Sequence, residues 1–207
     1  MAQRIIDELK IIKQDADESV IRKTIIDFFD EMEVDDVPER TKLALSLEKI
    51  VRNILLLALA GELAREQLID QFIREYSLAV IDSGYRPNYA HIERVCADIV
   101  DNTLKGIETP YMTSTDRSIA IAENETNNIA NADEYMNAID NGKTEKTWHT
   151  EKDNRVRGTH REVDEMTIPI EELFNVGLAQ MRFPCDMELA YDSPEETNNC
   201  RCHISYS

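Results

Sequence analysis

The spacing of apolar residues changes once along this chain, and that change limits the folds open to it. From the start to about Leu104 apolar side chains recur at helical spacing: Ile5, Ile6, Leu9 and Ile12 share one face, as do Ile21, Ile25, Phe28, Phe29 and Met32. After Gly142 the helical repeat stops. The stretch "KTEKTWHT" is rich in threonine and aromatic residues and reads as a strand around Trp148. The closing "CRCHISY" alternates, with Cys200, Cys202, Ile204 and Tyr206 on one side and Arg201, His203 and Ser205 on the other. The chain is therefore predicted to be α+β. A helical N-terminal domain precedes a small C-terminal domain with a long helix and a short antiparallel sheet in which Trp148 and the last strand are partners.

Punctuation residues divide the helical part. Asp36 and Pro38 stand where an N-cap and a first-turn proline would open a helix running through "RTKLALSLEKIVRNILLLALA". Gly61 either ends it or is tolerated within a longer helix, and Gly84 and Gly106 mark further helix ends. "GIETPYMTSTD" combines glycine, proline and Ser/Thr residues as a linker does. The predicted organisation is an α-helical docking domain over 1–106, a linker over 107–115 and an α+β domain over 116–207. Ser114 or Thr115 caps the next helix, whose buried stripe is predicted to be Ile119, Ala122, Ile129, Ala132, Met136 and Ile139. Asp153-Asn154 is a turn signal, a short helix follows Gly158, "EMTIPI" is extended and "EELF" turns into a brief helix.

Charge narrows the partners. A formal net charge of −18 over 207 residues repels a polyanion, so direct nucleic-acid binding is disfavoured. The longest apolar run, "ILLLALA" from Ile54 to Ala60, is far short of the ~20 residues that span a bilayer, which leaves no membrane segment. It reads as helix core or a partner-facing surface. "MAQRIIDELKIIKQ" lacks the apolar core of a signal peptide, so a reducing cytoplasm is the expected compartment. The four cysteines, Cys96, Cys185, Cys200 and Cys202, then point to metal ligation or simple burial ahead of disulfides.

Two clusters carry possible chemistry. In "WHTEKDNRVRGTH" the spacing of Arg157, His160 and Asp164 would put all three on one helical face, with His160 as a proton carrier oriented by Asp153 or Asp164. No strained serine turn, phosphate-cradling glycine loop or HExxH helix stands nearby to supply a nucleophile or a metal. The plainer reading is a charge cluster of Asp153, Arg155 and Arg157 bracing the turn. In "NCRCHISYS" Cys200 and Cys202 could chelate one ion, with His160 and Cys185 completing a tetrahedral zinc set. Against that, both cysteines share a face with Ile204 and Tyr206 and suit a core.

These residues also carry a family resemblance. "AENETNNIAN", then Gly142, Lys146, Trp148, Thr150, Asp153, Arg155, Arg157, His160, Asp164, Pro169, Phe174, "FPCD" from Phe183 to Asp186, and Asn199, Cys200, Arg201 and Cys202 resemble the Mu F-like (MuF) phage head morphogenesis domain over about residues 116–207. The carrying pattern is W-x-T-x-x-D-x-R-x-R-x-x-H followed by N-C-R-C.

The resemblance implies a minor head (capsid) protein of a tailed phage or prophage. Such a protein lies in the virion, inside the head near the portal, and in the host cytoplasm during assembly. Its implied partners are the portal protein and other head proteins. The shared residues would then be structural, with no cofactor and no catalytic role. This chain departs from the family at Glu165, where glycine is frequent, and at Cys185, a position not expected to be fixed as cysteine. The family also appears fused to toxin domains, for which the two halves of this chain leave no room. Two other readings stay open: a zinc-dependent hydrolase using Cys200, Cys202 and His160 with Asp153 or Asp164 as base, and an acidic adaptor for a basic scaffolding partner.

Overall fold

The computed structural model describes residues 18–207. The first predicted helical face, Ile5 to Ile12, lies outside the described residues. In chain order the elements are α1 (Glu18–Asp30), α2 (Val37–Ala60), α3 (Arg65–Asp82), α4 (Tyr89–Lys105), α5 (Thr115–Asp140), β1 (Glu145–His149), α6 (Gly158–Arg161), β2 (Thr167–Pro169), β3 (Phe174–Val176), β4 (Ala179–Met181), α7 (Pro194–Thr197) and β5 (His203–Tyr206). The class is α+β, helical first and with small antiparallel sheets towards the end, as the change of period predicts.

The chain divides into two compact units. One comprises residues 18–27 with Thr41–Ala122, the other Phe28–Arg40 with Glu123–Ser207. Pro110–Thr113, inside the anticipated linker, forms a 3-10 turn within the first unit.

The helix signals act where they stand, those opening α2 in the second unit and the others below in the first. Asp36 precedes α2 and Pro38 sits in its first turn, while Gly61 and Gly84 follow α2 and α3 with positive φ. Asn88 caps α4 by accepting a hydrogen bond from the His91 N–H at 3.2 Å. The core of the first unit is aliphatic and aromatic: Leu43, Leu47, Ile54, Leu55, Leu68, Phe72, Tyr76, Ile92, Cys96 and Val100 are buried. The "ILLLALA" run thus supplies core through Ile54, Leu55 and Ala58. Arg117, buried at the start of α5, donates to Thr103 Oγ1 at 2.7 Å and to the Met112 carbonyl at 2.6 Å, tying α5 to the end of α4.

In the second unit β1 is the centre of a three-stranded antiparallel sheet, order β2-β1-β5. Trp148 pairs with Ile204 and Thr147 with both Thr167 and Ser205. The predicted partnership of the tryptophan strand with the last strand therefore holds. β5 begins only at His203, so Cys200 and Cys202 lie in the segment leading into it, and Arg201 between them is buried as well. The anticipated alternation fails there because that segment is enclosed on both sides.

Two further expectations are corrected. "EELF" is a turn, closed by the Glu172 N–H donating to the Pro169 carbonyl at 3.0 Å, and Phe174 opens β3 instead of closing a helix. The reason is tertiary pairing: Phe174 and Val176 point into the core and register with Met181 and Ala179 of β4, which overrides local helix preference. Along α5, Met136 and Ile139 are exposed, and Tyr135 and Ala138 take the core positions. From Ala122 to Asn131 this helix is buried all round, polar residues included, so no single apolar stripe describes it.

Gly177 and Leu178 form a two-residue link between β3 and β4, with Gly177 at φ +60 as a turn of this hand requires. A Cβ at Gly177 would collide with Glu196 Oε1 and stand 3.1 Å from Thr159 Cγ2. Gly142 also has positive φ, but nothing lies within 4 Å of its virtual Cβ. Gly177→Ala is expected to cost about 1–3 kcal/mol, and more than Gly142→Ala, because it adds a steric term to the same backbone strain. Thermal melts of the two variants side by side check this; equal losses would mean that Glu196 yields freely.

Candidate functional site

The site grows from three segments: the loop after β1, helix α6, and the chain from α7 into β5. Asp153 turns the loop by accepting from the Arg155 N–H at 2.9 Å through Oδ1. Its Oδ2 receives Arg201 Nη2 at 2.7 Å and Arg155 Nε at 3.2 Å. The Arg201 bond and the two from Arg155 hold the Asp153 carboxyl down at about 2. Arg155 also donates to Glu31 Oε2 at 2.5 Å. Arg157 donates to the Asn198 carbonyl and stands just before α6. The charge cluster at the turn joins Asp153 and Arg155 to Arg201 and Glu31, while Arg157, anticipated as its third member, bonds the Asn198 carbonyl instead.

Helix α6 has only one turn, which overturns the shared face anticipated for Arg157, His160 and Asp164. His160 points inward and is 1% exposed, while Asp164 lies beyond the helix and accepts the Thr150 N–H at 2.8 Å. Glu165 follows with φ 59, the left-handed conformation that glycine adopts at least cost. Lys152 Nζ bonds Glu165 Oε1 at 2.6 Å at this turn.

Around His160 three side chains converge. Nδ1 lies 3.4 Å from Cys202 Sγ and 3.5 Å from Cys200 Sγ. On the opposite side of the ring, Glu196 Oε2 lies 3.2 Å from Nε2, a charge contact whose angle is outside hydrogen-bond geometry. Thr159 Oγ1 donates to the same carboxylate oxygen at 2.8 Å. Burial opposes charge on His160, but the Cys200 sulfur beside it carries its pKa above the ordinary histidine value. Cys200 in turn is held well below the usual thiol range by the neighbouring Cys185 and Cys202 thiols and by His160.

The Trp148 ring meets His160 edge-on at 5.7 Å and Phe174 at 5.2 Å, closing the site against the core. Among the described residues, His160, Cys200 and Cys202 form the group whose ligand atoms all lie within 4.8 Å of one another. Cys185 is outside it, its thiol turned to the Thr197 carbonyl at 3.3 Å. The anticipated four-ligand set is therefore reduced to three.

Sequence reasoning missed the residues that hold this arrangement. Four asparagines of α5 clamp the loops. Asn124 Oδ1 accepts the Asn199 N–H at 2.7 Å, Asn127 donates to the Cys200 carbonyl at 2.9 Å, Asn131 donates to the Pro184 carbonyl at 2.8 Å, and Asn128 accepts the Met187 N–H at 3.2 Å. Asn199 itself has φ 53, a conformation that asparagine tolerates better than most residues. The available signal was the density of amides in "AENETNNIAN", too polar for a helix face turned to a core.

The clamp from α5, the arginine-braced turn and the histidine beside N-C-R-C form one connected unit, and a family model spans it apart from Glu31. The model for Phage Mu protein F like protein matches residues 90–205. The chain belongs to this family. The match begins at the start of α4, so it takes in more of the chain than the 116–207 resemblance. No curated protein and no solved structure shows a significant match. Membership makes this Mu F-like protein a phage head morphogenesis protein. In this chain Asp153, Asp164 and Arg157 each bond to a main-chain group, and the Asn199 N–H is itself held by the Asn124 side chain.

Proposed function

We propose that this Mu F-like protein is a minor head (capsid) protein bound at the portal vertex, inside the head, where it serves head assembly or genome delivery as a structural part. The observation that carries the reading is how the polar motif is used. Asp153, the candidate base, is held at about 2 by Arg201 and Arg155 and is a poor proton acceptor near neutrality. Asp164 is engaged by the Thr150 N–H. Neither carboxylate is placed for the hydrolase reading, and the bonds they make fix loops.

The charge of −18 favours a basic protein surface as the docking site over naked DNA. Among the described residues no helix is long and apolar enough to cross a membrane. The reading is tested by tagging the chain in its phage, purifying DNA-filled heads and cross-linking them. Recovery in heads at a copy number comparable to the portal protein, with cross-links to the portal, is the expected result. Heads that lack the chain, or cross-links confined to the major shell protein, would overturn it.

A further inference from the structure

We infer that His160 Nδ1, Cys200 Sγ and Cys202 Sγ bind one Zn²⁺ ion, with a water molecule as the fourth ligand, and that this ion locks helix α6 to the segment entering β5. The inference does not depend on the head-protein reading.

Geometry carries it. A neutral imidazole has one proton on one of its two nitrogens, yet two sulfurs approach the same nitrogen, at 3.4 and 3.5 Å. One N–H cannot be aimed at both. A metal can satisfy both: zinc bonds of ~2.3 Å to sulfur and ~2.0–2.1 Å to nitrogen at a tetrahedral angle place N and S about 3.6 Å apart. The three donors therefore stand close to ligand spacing already.

The surroundings fit as well. Glu196 lies behind Nε2 at 3.2 Å, the side from which carboxylates orient metal-bound histidines. Glu196 is itself buried and fixed by Thr159. Two thiolates neutralise the charge of a divalent ion, so the completed site is uncharged where all three ligands are buried. The choice of sulfur and imidazole favours zinc over magnesium or calcium, which take oxygen ligands.

Next to the ligands lies a cavity of about 20 Å³, lined by His160, Cys200 and Cys202 together with Glu151, Arg157 and Asn199. It holds one water and little more. A zinc with an open position can activate water for attack, but the space directly against the ligands holds little beyond that water. The ion's part is then to hold the chain, joining His160 to residues some forty positions later.

The test uses the full chain, stripped of metal and titrated with Zn²⁺ against a chromophoric chelator, and with Co²⁺ for its thiolate-to-cobalt absorption in the near ultraviolet. About one ion per chain is expected, with the cobalt band diminished in Cys200→Ser and in Cys202→Ser. Cys96→Ser and Cys185→Ser should retain both ion and band. Glu196→Gln should keep the stoichiometry and bind zinc about 10- to 100-fold more weakly, as removing an outer-shell partner does. A folded wild-type chain without the thiolate band overturns the inference, as does metal lost in Cys185→Ser but kept in Cys202→Ser. Should the Cys200 and Cys202 variants fail to fold, the wild-type cobalt spectrum decides by itself.

Discussion

Trp148→Ala is expected to destabilise the unit formed by Phe28–Arg40 and Glu123–Ser207 by about 3–5 kcal/mol. Trp148 is the single tryptophan and is completely buried in the central strand β1. Its ring meets Phe174 from the β3–β4 hairpin and His160 from α6, so one side chain joins the sheet, the hairpin and the candidate metal ligands. Truncation leaves a cavity bordered by three elements, and β1 cannot collapse into it while held on both edges by β2 and β5. Urea unfolding followed by circular dichroism gives the loss, since the variant has no tryptophan to report by fluorescence. Trp148→Phe should recover part of it. Hydrogen exchange should show the amides of β1 and β5 opening together in the alanine variant. A loss below about 1 kcal/mol would mean that the ring only lines the site, because cavity costs for an aromatic in a rigid core are several times larger.

That anchor was legible because its signal is local. A lone aromatic in a Thr-rich stretch of period two marks a half-buried strand, and the alternation of Ile204 and Tyr206 marks its partner. Helix ends at Gly84 and Gly142 were legible for the same reason, being written in residues whose backbone preferences act at their own position, while Gly61 allowed an end or a continuation. The convergence of His160 with Cys200 and Cys202 could be anticipated from residue chemistry. The exclusion of Cys185 could not, because it depends on where the Thr197 carbonyl lies.

The amide clamp was hidden for a deeper reason. Asn127 and Asn131 bond to carbonyls 73 and 53 residues away, and nothing in the local pattern of α5 names those partners. Hydropathy alone therefore carries the predicted stripe on from Ala122 and Ile129, which are buried, to Met136 and Ile139, which face outward. Lys146 misleads in the same way: it is fully buried in β1 with Nζ over the rings of Tyr135 and Phe174 at 5.2 and 5.3 Å. Burial pushes its pKa down to about 8. Where this fold buries polar groups it does so through contacts distant in sequence, and those are the contacts that shape the site.

Arg40 is the extreme case, and Arg40→Met is expected to cost about 3 kcal/mol at neutral pH. Near the start of α2 it looks like an ordinary surface cation, yet it is 0% exposed. Its guanidinium points three ways, with Nε to Asp36 Oδ1 at 2.6 Å, Nη1 to Asn127 Oδ1 at 3.1 Å and Nη2 to Glu134 Oε1 at 2.7 Å. Methionine keeps much of the volume, so the loss reports the charge left without its counterion. Arg40→Lys should restore only part of the stability, since one ammonium cannot reproduce a fork with three fixed directions.

The variant should also acquire a pH dependence of known sign. Burial already raises the Glu134 carboxyl above its ordinary value, and Arg40 pulls it back down. Without Arg40 the folded-state pKa rises further. A carboxyl raised on folding favours the folded state below its unfolded pKa, and that contribution is lost as pH rises through the folded value. The gap between wild type and Arg40→Met should therefore narrow as pH falls from neutrality towards the ordinary carboxylate range. Urea unfolding at a series of pH values measures it. A gap that stays constant with pH would make Arg40 a packing residue, and a gap that widens on acidification would reverse the assigned roles of Arg40 and Glu134.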